Sequence, residues 1–243
     1  MIVRAYSRLI LMIALLACYV AYYLVVSSWR GFDLHFNLRL RASWIRNVLR
    51  IVGMHIELRG EIPRGNYLFI CNHRSFFDPL VVLHFIDALP LSKAEVRRYP
   101  LIGFGARITG VLFVDRNSLK SRQEARSTVA ETIRKGYSVL VFPEGTTVTT
   151  DSSGEFKRGT FIEAASQGIG IVPIALEYKD PDDRWKEISL FKQYLNQFKK
   201  RKSTCALQFG TPVYSSDPYF LRSTTKSWID QALFRIQRVW NSK

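Results

Sequence analysis

The residues with the clearest chemical potential are a histidine and an aspartate separated by four positions, His73 and Asp78. The apolar, β-prone run 67–71 precedes them, and Asp78-Pro79 is a good helix start with the aspartate as N-cap, so the pair lies where a strand becomes a helix. A carboxylate that folds back onto one imidazole nitrogen fixes the tautomer and leaves the other nitrogen able to take a proton. Two residues also recur by accident, so a capping aspartate beside an ordinary loop histidine stays open at this point.

Two further predicted strands run into polar residues. The strand at 111–114 is followed by Arg116, and an arginine at a strand mouth suits bidentate binding of phosphate or carboxylate. The strand at 138–142 leads into a turn in which Gly145 allows a close backbone approach and Glu144 can orient a ligand or an arginine. Taken singly, the first pattern favours a surface ion pair of Arg116 with Asp115 or Glu124, and the second is an ordinary turn.

Charge and cysteine content narrow the partners of the chain. Of its 243 residues, 35 are Lys or Arg and 20 are Asp or Glu, which gives a formal charge of +15. Such an excess favours nucleic acid, anionic lipid or phosphorylated substrates. The three cysteines, Cys18, Cys71 and Cys205, include no C-x-x-C pair, so neither a disulfide framework nor a zinc site is indicated. Cys71 lies in an apolar strand, where a buried thiol is favoured over an acyl-carrying nucleophile.

An uncharged, mostly apolar run near the start of the chain, residues 9–29, is long enough to cross a hydrocarbon core of ~30 Å. It is too long for a signal peptide, so we predict a membrane anchor that stays on the protein. Arginines are denser after the run than before it, which places the main body in the cytoplasm, on the inner membrane. A segment that enters and returns stays open. Residues 37–54 form a basic amphipathic helix that either lies among the lipid headgroups or packs on the core.

The rest of the chain alternates between strand and helix patterns. Strands are predicted at residues 55–58, 67–71, 111–114, 138–142, 171–177 and 205–210, and helices at 79–85, 118–135, 160–167 and 223–240. Alternation of this kind implies an α/β fold with a mainly parallel sheet flanked by helices on both faces. We therefore predict an N-terminal membrane anchor and amphipathic helix over residues 1–53 and one α/β domain over residues 54–243.

Four segments follow one another in a fixed order: Asn72-His73-x4-Asp78, Gly110-x-x-Phe113-Val114-Asp115-Arg116, Phe142-Pro143-Glu144-Gly145-Thr146 and Ile171-Val172-Pro173-Ile174-Ala175-Leu176. This set resembles the four sequence blocks of the glycerolipid acyltransferases, and within them the 1-acylglycerol-3-phosphate acyltransferase group. The resemblance spans residues 72–176 and implies a small αβ acyltransferase domain. It also implies acid–base catalysis by the His-x4-Asp pair, an acyl thioester of coenzyme A or of acyl carrier protein as donor, and no cofactor or metal.

The resemblance assigns roles to individual positions. His73 looks like the general base and Asp78 like its orienting partner, while Arg116 looks like part of the binding site for the acceptor headgroup. Lys93 matches a lysine that faces either the thioester oxygen or a phosphate, and residues 156–159 resemble a basic patch that follows the third block. The positions assigned to substrate binding in this way are Asn72, Lys93, Arg116, Glu144, Gly145, Thr146, Lys157 and Arg158.

The expected function is therefore a membrane-bound O-acyltransferase of lipid biosynthesis. We expect it to acylate 1-acyl-sn-glycerol-3-phosphate to phosphatidic acid, with membrane lipid as a further partner and no nucleic acid, since RNA-binding signatures are absent. One position departs from the pattern: phosphatidic acid-forming members usually have arginine where Thr147 stands here. The alternatives are therefore acylation of another lysophospholipid or of a lyso-amino-acid lipid of the lyso-ornithine type, and, from another class, a non-catalytic module that binds anionic lipid.

Overall fold

The structure is a computed structural model that describes residues 2–99, 101–115, 117–186 and 189–242. Arg116, one of the predicted site residues, lies outside the described residues. Helices are α1 (Ile2–Arg30), α2 (Leu34–Val52), α3 (Asp78–Leu83), α4 (Ile102–Ile108), α5 (Leu119–Arg134), α6 (Gly159–Ser166), α7 (Leu190–Phe198) and α8 (Pro218–Asn241). Strands are β1 (Met54–Arg59), β2 (Leu68–Cys71), β3 (Ala88–Lys93), β4 (Leu112–Val114), β5 (Ser138–Val141), β6 (Ile171–Tyr178) and β7 (Ser203–Phe209).

These strands form one sheet in the order β1-β7-β6-β2-β5-β3-β4. Neighbouring strands run parallel except β6 and β7, which are antiparallel. The predicted α/β fold with a mainly parallel sheet is thus confirmed. Because β2, β3, β4, β5 and β6 share one direction, their carboxyl ends meet at a single edge of the sheet. The loops that follow them, including the one that carries His73, are brought together there.

Helices cover both faces of the sheet, which explains why its central strands are apolar throughout. Every residue of β2, β5 and β6 is buried. One face packs against α2, α3 and α7 through a core that contains Ile45, Val81 and Phe198, and the other packs against α5, α6 and α8 through Val129 and Ile229. Each such side chain contributes about 1.5–3 kcal/mol when it is fully buried.

The structure corrects several element boundaries. β3 was not predicted, because its Pro90 removes a ladder donor and normally argues against an internal strand. α4 and α7 were not predicted either. α8 begins at Pro218 rather than residue 223, since the Asp217 carboxylate accepts from the Tyr219 N–H as N-cap. At α3 the N-cap is Phe77, and Asp78 is the first helical residue; the prediction of an Asp78 cap was wrong, because that carboxylate turns back toward the preceding loop.

The first two helices form a hairpin that packs against the domain. α1 is long and apolar enough to cross a membrane by length and composition. It contacts α2, where Tyr19 Oη lies 2.8 Å from Ser43 Oγ, and its Arg8 donates to the carbonyl oxygen of Phe198 at 2.9 Å, at the end of α7. The apolar face of α2 packs on the core, which confirms the second alternative for this helix, while Arg46 and Arg50 remain exposed.

Candidate active site

The predicted pair is in direct contact. The Asp78 carboxylate is fully buried, and its Oδ2 lies 2.8 Å from His73 Nδ1. The same oxygen accepts from the backbone N–H groups of Arg74 and Ser75, the latter at 2.8 Å. Its other oxygen, Oδ1, accepts from the Tyr178 hydroxyl at 2.9 Å. The carboxylate is therefore held by four donors, which fix its direction.

The His73 ring is open on its opposite side. Its side chain is 20% exposed and packs on the Phe142 ring, with centroids 4.4 Å apart. With Nδ1 donating to Asp78, Nε2 carries the free lone pair, and it has no hydrogen-bond partner within the described part of the chain. An imidazole in this tautomer, backed by a buried carboxylate, can take a proton from a group that approaches from the solvent side.

Glu144 holds the backbone of His73. Its Oε2 accepts from the His73 N–H at 2.5 Å and its Oε1 accepts from the Gly154 N–H at 2.7 Å. The carbonyl oxygen of His73 in turn accepts from the Val148 N–H at 2.8 Å. Burial raises the pKa of the Glu144 carboxyl, while the two backbone amides favour its charged form. Both oxygens of Glu144 thus face backbone amides, although the sequence resemblance places this residue in substrate binding.

Arg74 also holds the loops around His73 in place, and it was not predicted as a site residue. Its guanidinium is fully buried and donates to the carbonyl oxygens of Val148 at 3.0 Å and Asp151 at 2.9 Å, and also to those of Thr150 and Ser152. It lies 3.2 Å from the buried carboxylate of Glu177, which also pairs with Arg184 at 3.0 Å. The one sequence signal was a charged residue, Glu177, inside the predicted strand 171–177. The segment 148–152 is therefore wrapped around a buried cation beside His73.

Cys71 is the last residue of β2 and Asn72 follows it, and both side chains bond to backbone groups. Asn72 Nδ2 donates to the Leu176 carbonyl oxygen at 2.9 Å, and its Oδ1 accepts from the Leu176 N–H at 2.8 Å, so this buried amide ties the loop after β2 to β6. The Cys71 thiol is buried and donates to the Asn72 carbonyl oxygen at 3.2 Å. Burial raises its pKa well above the ordinary value, which is the opposite of what a nucleophilic thiol requires.

A cavity of about 560 Å³ lies on the other side of Phe142. Three of the predicted residues, Gly145, Lys157 and Arg158, line it. Two arginines of α5, Arg122 and Arg126, line it as well and were not selected from the sequence, although they follow closely after Arg116 and stand one helical turn apart. The cavity is therefore lined by two arginines of α5 and by two cations just before the first residue of α6.

The remaining predicted residues lie apart from both groups. Lys93 ends β3 and is exposed, and Thr146 is exposed in the turn after Pro143. Neither of the two lines the cavity. Among the residues that the structure describes, no group of three or more His, Cys, Asp or Glu side chains is placed to hold a metal ion.

Known proteins resemble this chain in sequence and in fold. The Lyso-ornithine lipid O-acyltransferase of Pseudomonas aeruginosa PAO1 is 33% identical over 141 residues, which cover 58% of this chain and 54% of that protein. The human 1-acyl-sn-glycerol-3-phosphate acyltransferase alpha is 30% identical over 182 residues, covering 72% of this chain and 62% of that protein. The chain thus spans less than two thirds of the length of each of these relatives.

The fold has a counterpart among solved structures. The crystal structure of the 1-acyl-sn-glycerophosphate acyltransferase PlsC from Thermotoga maritima superposes with a TM-score of 0.64 at 19% identity, covering 95% of this chain and 98% of that one. The sequence pattern of the Acyltransferase family matches residues 54–177, from the start of β1 to the buried Glu177. That match includes His73, Asp78 and the turn at Glu144, and on this ground the chain belongs to the Acyltransferase family.

Proposed function

We propose that the protein is a membrane-bound O-acyltransferase that moves a fatty acyl group from a thioester to the free hydroxyl of a lysolipid. The observation that carries this proposal is the His73–Asp78 pair, in which a fully buried carboxylate with four donors orients a partly exposed imidazole. A protein that only binds lipid has no use for such a pair. The family membership and the names of the relatives supply the substrate class.

In the proposed reaction, His73 Nε2 takes the proton of the acceptor hydroxyl while the oxygen attacks the thioester carbonyl carbon. The tetrahedral intermediate then collapses, the carbon–sulfur bond breaks, and the imidazolium returns its proton to the leaving thiolate. Asp78 stabilises the imidazolium and keeps its orientation through both steps. Positioned proton transfer of this kind contributes ~10²–10⁴-fold in rate. The products are an ester and a free thiol, so atoms and charge balance.

For the acceptor we propose 1-acyl-sn-glycerol-3-phosphate first, with the acyl thioester of coenzyme A or of acyl carrier protein as donor. The basic residues Arg116, Lys157 and Arg158 suit a phosphate headgroup. A lyso-amino-acid lipid is the second candidate. It is favoured by Thr147, which stands where arginine is usual in the first group, and by the name of the Pseudomonas relative.

For the membrane we propose that α1 embeds in one leaflet of the inner membrane, with the domain on the cytoplasmic side. The carbonyl of Ala5 accepts from the Tyr194 hydroxyl at 3.0 Å, and Tyr23 packs on the Phe104 ring at 5.9 Å. At 1.5 Å per residue these contacts hold roughly 27 Å of helix against the domain. The remaining turns are too short to cross a hydrocarbon core of ~30 Å. Exposed apolar residues such as Leu11, Val25 and Trp29 are left for lipid.

The test is direct transfer by the full chain in mixed micelles, with labelled acyl-CoA or acyl carrier protein and a panel of lysophosphatidic acid, other lysophospholipids and lyso-ornithine lipid. We expect one acceptor to be converted and His73→Ala to reduce the rate to background, while the variant keeps its far-UV spectrum and its membrane association. Turnover by His73→Ala within tenfold of the unmodified protein would remove the general-base role. Absence of transfer to every acceptor would favour the lipid-binding alternative.

A further inference from the structure

The cavity beside Phe142 has a cationic wall that the proposed chemistry at His73 does not use. Arg122 and Arg126 of α5 face Lys157 and Arg158 at the start of α6 across its 560 Å³. None of the four forms an ion pair or a side-chain hydrogen bond with any residue that the structure describes. By contrast, the buried arginines 74 and 184 each contact a carboxylate.

Acidic residues do not neutralise this wall. Two carboxylates line the cavity, and one of them, Glu155, pairs outward with Arg222 at 3.0 Å. Four cations therefore stand against one remaining carboxylate, Glu163. Arg122, Lys157 and Arg158 are exposed and Arg126 is half-buried, so water screens the repulsion among them, but the excess of positive charge at this place on the surface remains. The apolar floor here includes Val129, Val141 and Phe156.

The start of α6 adds to the same excess. Its N-cap is Arg158, with no side-chain capping bond and no acidic residue in the first turn. The Arg126 side chain lies over Gly159, with Nη1 3.2 Å from the point where a Cβ would stand. A helix N-terminus carries partial positive charge, so a guanidinium there is unfavourable unless an anion shares the space. The cations that line the cavity and the N-terminus of α6 therefore both favour an anion at the same place.

We infer that this cavity binds a phosphate group of one of the two substrates, held between Arg122 and Arg126 on one side and Lys157 and Arg158 on the other. The inference rests on the proposed function for the identity of the substrates. Guanidinium groups suit phosphate because they offer paired donors in a fixed plane. The phosphate has two sources: the headgroup of the acceptor lipid, or the phosphates of coenzyme A or of the phosphopantetheine on acyl carrier protein. The assignment gives Arg122 and Arg126 a role as substrate-binding residues.

Steady-state kinetics with Arg126→Gln and Arg122→Gln/Arg126→Gln distinguish the two sources. We expect the KM of one substrate to rise roughly tenfold or more and kcat to stay within about threefold, because the cavity binds a part of the substrate that does not react. A rise in acceptor KM assigns the cavity to the headgroup, and a rise in donor KM assigns it to the donor. The matched control is Arg134→Gln, an exposed arginine two turns further along α5. Equal effects in the variant and the control, or a fall in kcat alone, would overturn the inference.

A binding measurement separates this inference from the proposed function. Full-length His73→Ala protein in detergent micelles is titrated with inorganic phosphate at constant ionic strength, and Tm is followed. We expect phosphate to raise Tm, and the shift to fall by at least half when Arg126→Gln is added but not when Arg134→Gln is added. A shift that ignores Arg126 contradicts the cavity assignment even if transfer is observed. Conversely, a shift that depends on Arg126 upholds it even if no tested lysolipid is a substrate.

Discussion

The region around His73, called the corner here, and the cavity beyond Phe142 share the Phe142 ring as a common wall. They differ in whether their charged groups have partners within the chain. In the corner, Asp78, Glu144 and Glu177 are buried and each is matched by several donors from within the chain. In the cavity, the cations are unmatched within the described residues. The first arrangement is complete before any substrate arrives, which is what preorganised chemistry requires. The second is incomplete in itself, which is what a binding site for a charged ligand requires.

The largest expected effect lies in the corner. Asp78→Asn removes the charge that supports the imidazolium, while its amide oxygen can still accept from the donors that now meet Oδ2 and its nitrogen can donate to the Tyr178 hydroxyl. We expect kcat to fall ~10³–10⁴-fold, with donor and acceptor KM changed by less than about threefold. Rates are measured under saturating donor with a fixed acceptor. A loss smaller than tenfold would mean that Asp78 only supports the loop.

The two regions should also differ in how much their charged residues contribute to the stability of the fold. Arg74→Met leaves the buried carboxylate of Glu177 with one cation fewer and frees the segment 148–152, so we expect a loss of about 3–5 kcal/mol in unfolding free energy. Arg122→Gln in the cavity should change stability by less than about 0.5 kcal/mol. Chemical denaturation in a fixed detergent gives both values. Similar losses for the two substitutions would show that the cavity cations are structural after all.

Glu144→Gln has a smaller effect but tests which region this residue serves. A glutamine oxygen can accept from only one of the two amides, and its amide group meets the other donor against donor. If Glu144 positions His73, kcat falls by roughly 10–100-fold while acceptor KM stays constant. We expect this outcome, measured by varying the acceptor at saturating donor. A raised acceptor KM with unchanged kcat would return Glu144 to the headgroup site, as the sequence resemblance has it.

The pair at the centre of the corner could be predicted from the sequence. A strand end and a helix start showed that Asp78 can fold back onto His73, and the resemblance to the acyltransferase blocks gave the two residues their expected roles. The partners of Glu144 could not be found, because its contact with the His73 amide joins residues 71 positions apart in the chain. Arg74 was not selected from the sequence, since no local pattern shows that its guanidinium meets a buried carboxylate on a distant strand. The role of Arg116 stays a prediction.

The same contrast between local patterns and contacts far apart in the chain holds for the fold. Apolar runs predicted β2, β5 and β6, because a strand that is buried on both faces has a continuous run of apolar residues. β3 escaped because Pro90 counts against a strand by local rules, whereas here the strand pairs with β4 and β5 on either side. The antiparallel pairing of β6 with β7 also has no local signal, because direction depends on how the chain returns after α7. Local sequence patterns therefore predicted individual strands, but they did not predict the antiparallel direction of the pairing between β6 and β7.

The pairing of β1 with β7 bears on how the protein is made. Met54 lies opposite Ser203, so β1 leaves the ribosome long before β7, the strand that pairs with it. At a synthesis rate of ~5–20 residues per second, this interval lasts roughly 7–30 s. During that time the edge of β1 that β7 later covers has no partner from its own chain. α1 leaves the ribosome before β1, so an α1 that binds lipid as proposed would hold the nascent chain at a bilayer during this interval instead of in water, where exposed strand edges associate with one another.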